Sequence, residues 1–268
     1  MVRVGLVGCG TIGSQLAQAI EQHYSRQARI VALHDSNSAH ARTLQQHLAS
    51  RPPLVSISRL LRSSDFVIEA ASVDVVPELV TRALRTNRSI FVMSVGGLLR
   101  AHAWQGLAAR SKGRVYIPSG ALAGLDGVKA IARGRIRRIA LTTRKPPSAL
   151  ADAPYVQRRH LDLSRLRRPQ VIFEGSPSAA IRAFPQNTNV AAALALASGA
   201  AASRVRIRVV ADPTIRTNQH EVEVEGDCGR LSCRTESRPS ANPKTSELAV
   251  RSAIVALGRV FDPISIGT

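Results

Sequence analysis

The chain has 268 residues, of which 44% are hydrophobic and 21% charged, and its net charge is +19. That composition excludes a disordered or fibrous chain and allows a sizeable core, divided between two lobes. The charge invites a nucleic-acid reading, but the basic residues are scattered, with small groups only at Arg135, Arg137, Arg138 and at Arg165, Arg167, Arg168, and aromatic residues amount to 3%, so a nucleic-acid partner is not expected.

No run of about eighteen uncharged apolar residues is present, so no membrane span is expected. The N-terminal segment MVRVGLVGCG enters a strand directly instead of a secretory signal, which predicts a cytoplasmic protein. Cys9, Cys228 and Cys233 lack the spacing of a zinc knuckle or a disulfide framework, so packed or idle thiols and no metal are expected. Nearly all basic residues are Arg. The four lysines, Lys112, Lys129, Lys145 and Lys244, resist that bias, and an ammonium is not interchangeable with a guanidinium fork.

Taken in chain order, apolar β-branched runs alternate with Ala/Leu-rich segments over the first half, the pattern of βαβ units. Strands are predicted at 2–7, 29–34, 66–69, 90–93 and 115–117, and helices at 12–23, 39–49, 76–85 and 103–110. After Pro118 strand-like runs follow one another with fewer helices, at 136–143, 170–174, 205–210, 221–225 and 230–235. Helices are predicted at 121–133, 189–198 and from about 245 to 260, and the proline-rich stretch 146–169 reads as a surface excursion. The fold class is therefore α/β: an N-terminal Rossmann-type doubly wound parallel sheet plus a C-terminal α+β domain with an open mixed sheet. The expected division is 1–118 for dinucleotide binding, 119–242 for substrate binding, catalysis and dimerisation, and 243–268 as a C-terminal helix packing back on the first domain.

Gly8-Cys9-Gly10-Thr11-Ile12-Gly13 fits G-x-G-x-x-G between a strand ending at Val7 and a helix beginning at Ile12. The first glycine permits the turn, the second admits a pyrophosphate, the third allows close helix packing, and the free N–H groups of the helix start hold phosphate. Asp35, at the end of the second strand, suits the ribose hydroxyls and favours NAD, with NADP possible through Arg42 or another arginine; its alternative is a helix N-cap. Ala71, in Glu69-Ala70-Ala71-Ser72, and Ser94, in Ser94-Val95-Gly96-Gly97, end the next strands where a cofactor would lie, although ordinary βα turns would look the same.

In the second lobe, Ser119–Gly127 forms a glycine-rich turn that opens a helix. Phe184-Pro185-Gln186-Asn187-Thr188-Asn189 opens another, with two amides available as caps or ligand contacts. His220 is a candidate acid/base, a buried structural histidine being its competitor. Arg144, Lys145, Lys244, Thr245 and Ser246 sit beside turn-forming prolines, where they would suit a dicarboxylate as well as solvent.

These residues resemble the L-aspartate dehydrogenase family over nearly the whole chain, through GCGTIG, SVGGL at 94–98, SGALAGLDG at 119–127, TRKPP at 143–147, FEGS at 173–176, FPQNTNVAA at 184–192, the histidine of NQHEV and NPKTSELAV at 242–250. The resemblance implies a homodimeric enzyme that uses NAD or NADP to oxidise L-aspartate reversibly to iminoaspartate. The imine hydrolyses to oxaloacetate and ammonia, or feeds NAD biosynthesis. It further implies that His220 is catalytic and that Ala121 and Asn189 contact the dinucleotide. Substrate carboxylates would fall to Arg144, Lys145, Asn187, Lys244, Thr245 and Ser246. The competing functions are a related two-domain oxidoreductase of the dihydrodipicolinate-reductase or homoserine-dehydrogenase type, and a non-enzymatic NAD sensor that binds nucleic acid.

Overall fold

In a computed structural model the chain is described over residues 1–185, 189–238, 246–264 and 266–267. The first strand, β1 (Val2–Val7), buries Val4 and Leu6 completely. A glycine turn leads into helix α1 (Thr11–His23), whose buried residues Gly13, Leu16, Ala17 and Ile20 recur at three- and four-residue intervals, the spacing that gives a helix one apolar face. Then come β2 (Ala28–His34), α2 (Ser38–His47), α3 (Ile57–Ser63), β3 (Phe66–Glu69), α4 (Val76–Arg85), β4 (Ser89–Val92), a 3₁₀ turn at Val95–Leu99, α5 (Trp104–Arg110) and β5 (Val115–Tyr116).

These strands form a parallel sheet of order β2-β1-β3-β4-β5. From β1 the chain steps outward to β2 and then returns past β1 to β3, so the winding reverses between β1 and β3. Because parallel crossovers are right-handed, that reversal opens a crevice at the carboxyl ends of the two strands. Helix α3 is absent from the predicted elements. It is only seven residues long, capped by Ser56 accepting from the Arg59 N–H, and it buries Leu60 and Leu61. Gly5 is what admits it, since a Cβ there would strike Leu60 and Ser64.

The second unit contains α6 (Leu125–Ile131), β6 (Ile136–Lys145), α7 (Pro154–Arg158), β7 (Gln170–Gly175), α8 (Pro177–Ala183), α9 (Asn189–Ala197), β8 (Val205–Ala211), β9 (Asn218–Gly226) and β10 (Arg230–Ser237). Its sheet has the order β10-β9-β6-β8-β7, with β6 and β8 parallel and the other pairings antiparallel, which makes it mixed. One face is covered: Ile139, Leu141, Val222 and Val224 are buried in a core with Phe184, Ala191 and Leu194. The alternate residues Arg138, Glu223 and Arg230 are charged, and two ion pairs join them at 3.6 and 3.1 Å.

Several expectations are corrected here. The helix expected from 121 begins at Leu125, because Gly120 and Gly124 take positive φ (65° and 77°) and hold residues 121–124 in a turn. The stretch 146–169 is not merely a surface excursion, since it carries α7 and inserts Leu150, Val156 and Leu163 into the core. Strand β6 runs on to Lys145 and β9 starts three residues earlier than predicted, at Asn218.

By internal contacts the units are Met1–Pro118 with Ala253–Ser265, and Ser119–Ser252 with Ile266–Thr268. Helix α10 (Glu247–Phe261) passes from one to the other, its start capped by the Ser246 hydroxyl accepting from the Ala249 N–H at 3.2 Å. Ala253, Leu257 and Phe261 belong to the first unit's core, where Phe261 lies 5.2 Å from Tyr24 and 5.8 Å from Phe66 between ring centres. Leu257 is fully buried, so Leu257→Ala is expected to destabilise the first unit by about 2–5 kcal/mol. Denaturant unfolding followed by Trp104, the only tryptophan, checks this.

Candidate active site

The glycine turn is built for a diphosphate. Gly8 has φ +96°, and a Cβ there would run into the Ala70 carbonyl; a Cβ on Gly13 would strike the Gly8 carbonyl oxygen. Gly10 differs, because a Cβ on it would meet nothing within 4 Å. It is also the N-cap of α1 and makes no side-chain cap, so the space before the helix start is open and the first-turn N–H groups face it. The residues present therefore fit a dinucleotide.

Asp35 stands beside this turn, its carboxylate accepting from the Cys9 N–H at 2.6 Å and the Asn37 N–H at 2.7 Å. The N-cap alternative for Asp35 is overturned, since the cap of α2 is Asn37, which accepts from the Ala39 N–H at 3.0 Å. Cys9 is buried, and desolvation followed by the Asp35 charge pushes its thiol up to about 12, which makes it inert.

Glu69 had no role assigned from the sequence. It ends β3 opposite Val7 in β1, at the point where the winding reverses, and is fully buried. Its carboxyl accepts from the Ala71 N–H at 2.8 Å and the Ser94 N–H at 2.9 Å. Burial pushes its pKa up, while the Ser94 and Ala71 donors pull it down. One buried side chain thus ties together the two loops carrying Ala71, which is exposed, and Ser94, which is buried.

In the second unit His220 lies within β9, not before it. It pairs with Thr143 of β6 and Thr235 of β10. Its Nδ1 lies 3.1 Å from the Thr143 hydroxyl. Thr235 donates its hydroxyl to the Ala121 carbonyl at 2.7 Å, which brings Ala121 to the imidazole's neighbourhood.

Strand alternation then separates the two adjacent cations. Lys145 shares the face of Thr143 and is only 4% exposed, so the reading of it as solvated charge is overturned. Arg144 points to the opposite face, where it pairs with Asp212 at 3.2 Å. That face holds a cavity of about 290 Å³ lined by Thr142, Arg144, Asp212, Gln219, Glu221 and Arg234, and His220 also contributes to its wall. Of the other candidates, Ser246 is buried as the α10 cap, Asn189 is half-buried at the start of α9, and Asn187, Lys244 and Thr245 lie outside the described residues.

The electrostatics follow from burial. Desolvation pushes Lys145 down to about 8, leaving it a cation at neutral pH. Desolvation first, and the Lys145 charge second, push His220 down to about 3, so its imidazole is neutral through the physiological range. The sign of the linkage is fixed by this depression: an unfolded histidine takes up a proton below about pH 6.5 and the folded one does not. The stability His220 contributes is thus complete above that pH and lost as pH falls toward 3.

The fold and this pair of sites define a two-unit oxidoreductase of the nicotinamide-dependent kind. Residues 8–118 match the family model for the homoserine dehydrogenase NAD binding domain, and residues 126–260 match that for the aspartate dehydrogenase C-terminal domain. Among curated relatives, the L-aspartate dehydrogenase of Methanosarcina barkeri is 43% identical over 100% of both chains. That of Bradyrhizobium diazoefficiens is 36% identical over 100% of this chain and 94% of its own. The crystal structure of Thermotoga maritima aspartate dehydrogenase superposes with a TM-score of 0.75 at 25% identity, covering 100% of both chains. A Lactobacillus casei myo-inositol dehydrogenase shares the fold at a TM-score of 0.55 and 15% identity, over 98% of this chain and 86% of its own. The chain belongs to the L-aspartate dehydrogenase family.

Because the Lys145 charge is one cause of the low His220 pKa, Lys145→Met is expected to raise it. Histidine ring resonances followed by NMR against pH check this: in the parent protein the His220 signals should stay at their neutral position from pH 5 to 8, and in the variant the titration should move upward.

Proposed function

We propose that this chain catalyses the reversible NAD(P)-dependent oxidation of L-aspartate to iminoaspartate, which water converts to oxaloacetate and ammonia. The observation that carries this reading is the joint burial of a neutral imidazole and an ammonium, His220 and Lys145, on one face of the second sheet in a chain of this family. The dinucleotide supplies the hydride acceptor at its nicotinamide ring.

The chain's residues do the rest. Gly8, Gly10 and the N–H groups of Thr11, Ile12 and Gly13 hold the diphosphate. Asp35 receives the adenosine ribose, and its negative charge favours NAD over a phosphorylated ribose. On the first unit, Ala71 and Ser94 would meet the nicotinamide half. Lys145 attracts a substrate carboxylate; in a dry site such a pair is stronger than in water.

His220 handles the proton. With Nδ1–H donating to the Thr143 hydroxyl, Nε2 is left with a lone pair for the substrate nitrogen or the attacking water. A bound dicarboxylate offsets the Lys145 charge that depresses the imidazole, so substrate binding itself raises the basicity of the group that must take the proton. Arg144 has no part in this scheme, since it faces the other way and is engaged by Asp212.

The protein is further read as a homodimer, on the family resemblance, and as cytoplasmic, on its N-terminal sequence; among the described residues no helix is long and apolar enough to cross a membrane. The test is formation of reduced coenzyme from L-aspartate at alkaline pH, with the reverse reaction from oxaloacetate and ammonia. His220→Ala is expected to lower kcat by about 10²–10⁴-fold while leaving NADH binding, measured by fluorescence, within about twofold. A parent protein silent in both directions with both coenzymes contradicts the reading.

A further inference from the structure

Asn218, two residues before His220, is 2% exposed, and its side-chain Nδ2 has no hydrogen-bond partner among the described residues. A buried amide left unpaired is destabilising, and native proteins rarely carry one without a compensating use. Its position indicates the use. Side chains along a strand alternate, so Asn218 and His220 project from the same face of β9. Thr143 pairs with His220 and Arg144 with Gln219, and continuing that register by one step sets Asn218 against Lys145. On the other side Asn218 pairs with Ser237 of β10, whose hydroxyl donates to the Arg238 carbonyl at 3.2 Å and accepts from the Leu248 N–H at 3.2 Å. Ser237 is thus already engaged at both its donor and an acceptor position.

The face around the imidazole therefore presents an ammonium and an amide N–H₂, both of them donors at the contacting atom. A ligand that accepts from the amide and lies beside the ammonium is anionic and acceptor-rich, and a carboxylate meets that description with two oxygens. We infer that Asn218 is a specificity-determining residue whose amide donates to a carboxylate of the substrate beside Lys145. The inference rests on the aspartate-deaminating reading above and deepens it by naming a donor that neither motif nor spacing singled out. The unpaired amide also has an energetic consequence: the folded protein carries the cost of an unsatisfied donor that a bound carboxylate would relieve.

Two variants and three measurements test this. Asn218→Leu replaces the amide by an apolar group of similar shape, and Asn218→Ala removes it. Losing a hydrogen bond to a charged group is worth about ten- to hundredfold in affinity. Both variants are therefore expected to raise KM for L-aspartate by about that factor, with a smaller change in kcat. NADH affinity, read by fluorescence without substrate, should stay within about twofold. The Leu variant should unfold at the same denaturant concentration as the parent or higher, because an unsatisfied donor has been removed. A purely structural amide gives the opposite pattern, lower stability with KM unmoved, and that result overturns the inference. So does a parallel loss of NADH affinity, or failure of both variants to fold. If only the Leu variant fails to fold, KM in the Ala variant decides. A parent protein that does not turn over L-aspartate contradicts the underlying reading, which is a distinct outcome from a parent that does and an Asn218→Ala variant that matches it.

Discussion

The register between β6 and β9 is the constraint on which the candidate chemistry depends. Thr143 lies opposite His220, and because side chains alternate, that single pairing assigns every neighbour to one face or the other. Thr143, Lys145, Asn218 and His220 fall on the covered side, while Thr142, Arg144, Gln219 and Glu221 fall on the open one. A slip of one residue would exchange the two sets. The core guards against it: Leu141, Val222 and Val224 occupy the same covered face, so a slip would also put charged side chains such as Glu223 into the core.

Burial on that face converts position into chemistry. An exposed imidazole and an exposed ammonium would each keep an ordinary pKa and contribute little specificity. Here desolvation depresses both, to about 3 and about 8, and the remaining positive charge couples one to the other. The first unit shows the same economy in a different form. Glu69 is held in the crevice at the carboxyl ends of β1 and β3, where its two oxygens fasten the loops carrying Ala71 and Ser94. The glycine turn, by contrast, leaves its helix start open, and openness is what a diphosphate requires.

Much of the scaffold was legible from sequence, because the strands of the first unit are apolar runs punctuated by helices with clear periodicity. The elements missed are short ones, α3 and α8 of seven residues and α7 of five, too brief for a helical period to repeat. The stretch 146–169 misled because its prolines and charges mask three widely spaced core residues. In the site, the glycine turn and Asp35 announced themselves by residue type and spacing. Lys145 and Arg144 were equally visible but indistinguishable, since β6 was expected to stop at residue 143 and the alternation that parts them lies just beyond. Glu69 and Asn218 could not be singled out at all: a carboxyl braced by the N–H groups of two loops and an amide without a partner among the described residues are properties of three-dimensional packing, not of composition.

The most direct measurement is where a dicarboxylate settles. A crystal structure of the protein with NAD and succinate should show carboxylate oxygens within hydrogen-bonding distance of Lys145 and Asn218, on the imidazole's side of the second sheet. Succinate bound instead in the opposite cavity, between Arg144 and Arg234, would contradict the account.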